Sequence, residues 1–160
     1  MRHIEAARDI YHRIGDRRGE ANALWALGNY HYFHEDSGSG VVDVGAALQI
    51  FREVGDRTME AWSLHMLGVG LLRNGDLTGA REAVEQAIRL FQAAGDAAGV
   101  TLTLDDLSAI SAGEGDLPRA ARLRGAARNL TAETGAGLAG YVEEAFENRL
   151  RPGVRSVMAP

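Results

Sequence analysis

The stretch from Gly55 to Ala94 reads GDRTMEAWSLHMLGVGLLRNGDLTGAREAVEQAIRLFQAA and decides the fold. It predicts two helices of similar length, each preceded by a Gly-Asp pair, Gly55-Asp56 and Gly75-Asp76. Glycine readily adopts the left-handed conformation that ends a helix, and aspartate accepts hydrogen bonds from the free N–H groups that begin the next one. The stretch is therefore interpreted as a helical hairpin.

The same Gly-Asp pair divides the rest of the chain into similar units. It occurs again at Gly15, Gly95 and Gly115, so the sequence predicts three repeats of 40 residues, at 15–54, 55–94 and 95–134. Residues 1–14 have the apolar spacing of the second helix of such a unit and are interpreted as a half repeat. A capping helix at 138–150 and a flexible tail at 151–160 complete the prediction. The expected fold is all-α, with about eight helices in a single domain over residues 1–150.

One junction departs from this rule. After His34 the chain reads EDSGSG over residues 35–40, where a Gly-Asp pair is expected. This composition is typical of a flexible polar loop, which predicts that the following helix begins near Val41 or Val42 and runs to Val54. The segment is either a degenerate repeat junction or a functional loop.

Small residues recur at one position in the first helix of each repeat. They are Gly28, Gly68 and Ser108, spaced 40 residues apart. A glycine inside a helix costs about 1 kcal/mol relative to alanine. Its recurrence indicates close packing of neighbouring helices that compensates this cost.

Composition limits the classes of function. The 160 residues carry a net charge of −5, and all 17 basic residues are arginine. We therefore expect no direct nucleic-acid partner. The absence of cysteine excludes disulfides and thiolate metal sites, and no apolar run reaches the ~20 residues of a membrane span. A cytoplasmic protein without a cofactor is the expectation.

The central unit resembles the tetratricopeptide repeat. The similarity rests on the pattern Leu64-x-x-Leu67-Gly68-x-x-Leu71 and on residues at the family's small and large positions, which are Gly75, Ala80, Val84 and Ala87. The resemblance implies a right-handed superhelix of antiparallel helix hairpins. It also implies a non-enzymatic scaffold for protein–protein interaction.

Two phrases carry a narrower resemblance. IGDRRGEA at residues 14–21 and GDLPRAARL at residues 115–123 are similar to the C-terminal repeat regions of large actinobacterial ATPase-type regulators. In those proteins the repeats follow a P-loop ATPase and receive signals or partners. The resemblance implies the sensory or partner-binding part of a bacterial transcriptional or signalling regulator. The chain has no Gly-x-x-x-x-Gly-Lys-[ST] motif, so any ATPase would lie outside it.

The family geometry also implies a binding surface. In tetratricopeptide arrays the first helix of each repeat lines a concave groove, and the matching positions are Asn22, Trp25, Asn29, Tyr32, Trp62, His65, Val69, Leu72, Arg73, Leu102 and Asp105. Tryptophan, tyrosine and arginine are the residues that most often anchor interfaces. The expected ligand is an extended peptide or a helix of a partner protein. The alternative is that both tryptophans pack between adjacent helices.

Self-association is the second hypothesis for the function. Apolar side chains at Ile10, Tyr11 and Ile14, or around Phe146, would pair two chains into a homodimer if they are exposed.

Two chemical hypotheses are more remote. His31 and His34 are spaced so that both imidazoles can approach one metal ion, with Glu35 and Asp36 adjacent. His65 with one carboxylate of the Asp105-Asp106 pair would form a hydrolytic dyad, although that pair is otherwise interpreted as a solvated face. No catalytic, cofactor or metal residue is assigned, and the protein is predicted not to be an enzyme.

Overall fold

The computed structural model describes residues 1–34 and 37–135. Over these residues the fold is all-α. The helices are α1 (Arg2–Ile14), α2 (Arg17–Phe33), α3 (Ser37–Glu53), α4 (Arg57–Arg73), α5 (Leu77–Ala94), α6 (Ala97–Gly113) and α7 (Leu117–Thr134). The predicted capping helix at 138–150 and the tail at 151–160 lie outside the described residues.

The Gly-Asp pairs mark helix junctions, as predicted. The five glycines have φ between 67° and 84°, which is the left-handed region that favours glycine. The following aspartate caps the next helix through its side chain. Oδ1 of Asp16, for example, accepts a hydrogen bond from the backbone N–H of Gly19 at 2.8 Å, and Asp56 and Asp96 do the same for Met59 and Gly99. Each junction is fixed by local chemistry.

The predicted loop before α3 is wrong over residues 37–40. Helix α3 begins at Ser37, four residues before Val41, while Glu35 and Asp36 lie outside the described residues. The reason is tertiary packing, because a Cβ atom on Gly40 would lie 3.2 Å from the carbonyl oxygen of Gly28 on α2. The small residues that suggest a loop allow two helices to approach closely.

The chain divides into two compact units, Met1–Leu90 and Phe91–Pro160. In the first unit, α1 packs on α2, α2 packs on α3 and α4, and α3 packs on α4. A cluster of fully or nearly fully buried side chains lies between α2 and α3. It comprises Ala21, Ala47, Ile50 and Phe51, with Leu24, Trp25 and Met59 against it.

The recurring small residues lie at close helix contacts, which confirms their interpretation. A Cβ atom on Gly28 would overlap Val44, and one on Gly68 would overlap Val84. In the second unit, where α6 packs on α7, Ser108 at the same position donates a hydrogen bond to the carbonyl oxygen of Ala120 at 2.9 Å. Each of the three predicted repeats therefore has a small residue at the contact between its two helices.

No described helix is both long and apolar enough to cross a membrane.

Candidate functional site

The predicted surface of α2 is open at its N-terminal end. Asn22 is exposed, and Trp25 and Asn29 are partly buried. Trp25 packs on the cluster between α2 and α3, and its indole N–H is buried without a hydrogen-bond partner among the described residues. The Asn29 side chain donates to the carbonyl oxygen of Trp25 at 2.9 Å. Trp25 therefore both packs between helices and keeps part of its surface accessible.

The C-terminal ends of α2 and α4 meet through Arg73. Its guanidinium lies 4.9 Å from the centre of the Tyr32 ring and donates a hydrogen bond to the carbonyl oxygen of Tyr32 at 3.0 Å. Arg73 and its neighbour Leu72 are partly exposed, whereas Tyr32 is buried. The predicted faces of α2 and α4 therefore lie side by side.

Burial changes the predicted set on α4. His65 and Val69 are only 5% and 1% exposed. Trp62 is partly exposed, and its ring packs edge to face on the His65 ring with 5.9 Å between the ring centres. Helix α4 has α2 and α3 packed against it and meets α5 at Gly68, so little of its circumference is free. His65, Val69 and Tyr32 are therefore too buried to line an open groove in this conformation.

The two predicted residues of the second unit differ in exposure. Leu102 is buried, and Asp105 is partly exposed with its Oδ1 atom 3.5 Å from Nη1 of Arg124. The neighbouring Asp106 is 1% exposed, so the interpretation of this pair as a solvated face is wrong for Asp106. It lies on the buried side of α6 because Thr103 and Ile110, three residues before and four after it, are also buried.

The two histidines considered for metal binding have separate partners. Nε2 of His31 lies 3.5 Å from Oδ2 of Asp43. The ring of His34 stacks on Tyr30, and its Nδ1 atom lies 2.8 Å from the Tyr30 carbonyl oxygen. Within residues 1–34 and 37–135, no three His, Cys, Asp or Glu side chains are grouped so as to hold a metal ion. The hydrolytic hypothesis pairs His65 with Asp105 or Asp106. His65 belongs to the first compact unit, and both aspartates belong to the second.

A pocket that the sequence did not predict lies among α1, α2 and α3. It has a volume of about 450 Å³ and is lined by Glu5, Arg8, Leu27, His31, Gly38, Ser39, Val42 and Asp43. Leu27 follows Trp25 by two residues, which places it about 200° around α2. The pocket therefore opens on the side of α2 opposite to the predicted groove. The sequence signal for it is a set of charged residues dispersed over three helices.

Ion clusters recur with the repeat. Glu60, which is 5% exposed, accepts hydrogen bonds from Arg52 at 2.9 Å and Arg57 at 2.8 Å. Burial raises the pKa of Glu60, but these two hydrogen bonds together with the two positive charges lower it by more, so the pKa lies below the ordinary value of 4.5. Such paired carboxylates hold α3 and α4 together and are not poised to exchange protons at neutral pH.

Forty residues earlier the same arrangement joins α1 and α2. Glu20 lies 3.0 Å from Nδ1 of His12 and accepts a hydrogen bond from Arg17 at 2.6 Å. Burial raises the pKa of Glu20, and its two partners lower it by more, so that the pKa is again below the ordinary value. Both clusters are structural features of the repeat.

Comparison with protein-family models and with curated proteins finds no match for the chain.

Proposed function

We propose that the chain is a tetratricopeptide-like scaffold that binds a protein or peptide through adjacent faces of α2 and α4. In this proposal the helix hairpins stack into a right-handed superhelix, the protein is not an enzyme, and it forms the partner-binding part of a cytoplasmic bacterial regulator. Recurring Gly-Asp junctions and small residues at the helix contacts support the repeat architecture.

The observation that carries the proposal is the contact of Arg73 with Tyr32. It joins the first helix of one repeat to the first helix of the next. A binding surface lined by first helices requires these two faces to lie side by side. The contact also leaves accessible side chains along both helices, which are exposed Asn22 and the partly exposed Trp25, Asn29, Trp62, Leu72 and Arg73.

The chemistry of this surface suits a peptide backbone. Asparagine amides donate and accept hydrogen bonds, the guanidinium of Arg73 offers donors to carbonyl or carboxylate oxygens, and the indoles provide apolar area. An extended segment or a helix of a partner would present the matching groups.

A displayed peptide library selected on the wild-type chain provides the test. We expect Trp62→Ala with Arg73→Ala to weaken the selected peptides by at least about tenfold, because interface tryptophans and arginines contribute the most binding energy. The control, Arg128→Ala on exposed α7, should leave binding unchanged. A photo-reactive residue at exposed Asn22 should crosslink the same peptides. Unchanged affinity in the folded double variant, with no crosslink, would contradict the proposal.

Self-association through α1 is a second candidate. Ile10 is 48% exposed and Ile14 is 69% exposed, whereas Ile50, at the position of Ile10 one repeat later, is 6% exposed. An apolar side chain that is buried in the next repeat is thus available on the surface of α1. The predicted contribution of Phe146 lies outside the described residues.

A further inference from the structure

The pocket among α1, α2 and α3 is polar at positions that are apolar in the next repeat. Arg8, His31 and Asp43 line it, and the residues 40 positions later are Leu48, Leu71 and Ala83. Leu48 and Ala83 are buried, at 5% and 4% exposure. The same fold therefore accommodates a filled apolar contact where the first repeat has a charged pocket.

The fold itself does not require these polar side chains. Burying a leucine side chain stabilises a protein more than a partly exposed ion pair does. The Arg8 side chain is 39% exposed, and those of His31 and Asp43 are 20% and 22% exposed. Arg8, His31 and Asp43 each take the place of an apolar residue, and all three lie at one pocket. The loss of apolar packing at three neighbouring positions points to a role in binding.

The charges of the pocket favour a positive ligand. The Arg8 guanidinium donates two hydrogen bonds to Asp9, at 2.8 and 3.2 Å, which largely neutralises it. This pairing is the main reason why the pKa of Arg8 lies above its ordinary value, and the nearby charges of Asp43 and Glu5 add to it. The Glu5 carboxylate makes no hydrogen bond or ion pair with the described residues. The carboxylates that line the pocket are Glu5 and Asp43, and Asp43 also lies 3.5 Å from Nε2 of His31.

An apolar wall lies beside the carboxylates. Leu27 is buried on α2, and Val42 on α3 is 70% exposed at the pocket. A ligand with a short hydrocarbon chain would cover Val42 while its charged end reaches Glu5 and Asp43. A volume of about 450 Å³ is within the usual range for small-molecule sites.

We propose that this pocket binds an ammonium or guanidinium group carried on a short aliphatic chain, with Glu5 and Asp43 accepting its N–H hydrogen bonds. Charge-assisted hydrogen bonds to two carboxylates provide the attraction, and contact with Leu27 and Val42 provides the selection for an alkyl chain. The site lies on the side of α2 opposite to the proposed peptide surface, so the two proposals are independent.

Binding of small probes to the full chain tests the charge requirement. We expect n-butylammonium and n-butylguanidinium to bind in calorimetric or NMR titrations. The length-matched anion butyrate, the neutral butanol and sodium or magnesium ions should not bind. Absence of binding by both organic cations at millimolar concentration would overturn the proposal, as would equal binding of butyrate or butanol.

Isosteric variants test the assigned residues. Glu5→Gln with Asp43→Asn removes the two charges with little change in shape and should reduce cation affinity by at least about tenfold. Glu133→Gln on exposed α7 is the matched control and should bind as the wild type does. Equal affinity in the pocket variant and the control would overturn the assignment.

Replacing the polar residues by those of the second repeat should separate binding from stability. The triple variant Arg8→Leu, His31→Leu, Asp43→Ala should lose cation binding while its melting temperature rises, because apolar packing replaces weak ion pairs. Retained binding by this folded variant would contradict the proposal.

A blocked tetrapeptide with a single arginine distinguishes a free small molecule from a partner's side chain as the source of the cationic group. If butylguanidinium binds as tightly as the peptide, the site is built for a free small molecule, and tighter peptide binding identifies a partner's side chain.

Discussion

Gly68 shows how one absent methyl group sets the distance between two helices. A Cβ atom there would overlap Cγ2 of Val84 and lie 3.2 Å from the carbonyl oxygen of Ala80. Gly28 has the same relation to Val44 and to the carbonyl oxygen of Gly40. The sequence could predict this role because the spacing of 40 residues recurs.

Replacing Gly68 by alanine should destabilise the protein. Alanine improves helix propensity by about 1 kcal/mol, but overpacking against Val84 and a backbone carbonyl costs about 1–3 kcal/mol, and the backbone cannot rotate away. We therefore expect a net loss of about 1 kcal/mol in the free energy of unfolding, measured by urea denaturation. Gly45→Ala on α3 is the matched control, since no atom lies within 4 Å of the added methyl group, and it should stabilise the protein. A Gly68→Ala variant as stable as Gly45→Ala would contradict this account.

The sequence predicts the direction in which a side chain leaves its helix better than it predicts how exposed that side chain is. The family pattern assigned Tyr32, His65 and Val69 to a groove, yet all three are buried. Phase gives the direction of a side chain from its own helix axis. It does not give the neighbours that cover it, such as the Arg73 guanidinium over the Tyr32 ring.

Helix ends divide into those set locally and those set by tertiary contacts. The junctions at Gly55 and Gly75 follow from two adjacent residues, so the sequence sufficed to predict them. The start of α3 at Ser37 depends on the contact of Gly40 with Gly28 on the preceding helix, α2, and not on the residues next to Ser37. Local propensity alone therefore predicted a loop where packing stabilises a helix.

Helix α1 has the apolar pattern of α3 but lacks its burial, and this leads to a test of self-association. If α1 pairs with a second copy, light scattering should show a mass that rises with concentration, and Ile10→Glu with Ile14→Glu should restore the monomer. Leu117→Glu, which alters an exposed apolar residue on α7, is the control and should leave the mass unchanged. A wild-type chain that remains monomeric at high concentration would contradict the dimer hypothesis and leave α1 with an unpaired apolar face.

For the molecule as a whole, the repeat period is visible in sequence, whereas sites assembled from several helices are not. The pocket brings together residues from Glu5 to Asp43 on three helices, and no motif joins them in the chain. The ion clusters around Glu20 and Glu60 become apparent only when residues 8 positions apart, His12 with Glu20 and Arg52 with Glu60, are seen in contact. The distance between two residues on either side of a helix junction cannot be derived from their sequence spacing until the geometry of the junction is known.

These two clusters lead to a prediction about acid stability. Because the pKa values of Glu20 and Glu60 are lower in the folded protein than the ordinary value of 4.5, the unfolded chain takes up protons first as the pH falls. Their contribution to stability is therefore complete above about pH 4.5 and is lost below it, as the pH falls through the folded pKa values. Chemical denaturation from about pH 7 to about pH 3 should show a smaller loss of unfolding free energy for Glu20→Gln with Glu60→Gln than for the wild type, although the variant is less stable at neutral pH. The control, Glu82→Gln with Glu133→Gln, changes two exposed carboxylates and should keep the wild-type slope. Equal slopes for both double variants would show that acid unfolding is governed by other carboxylates.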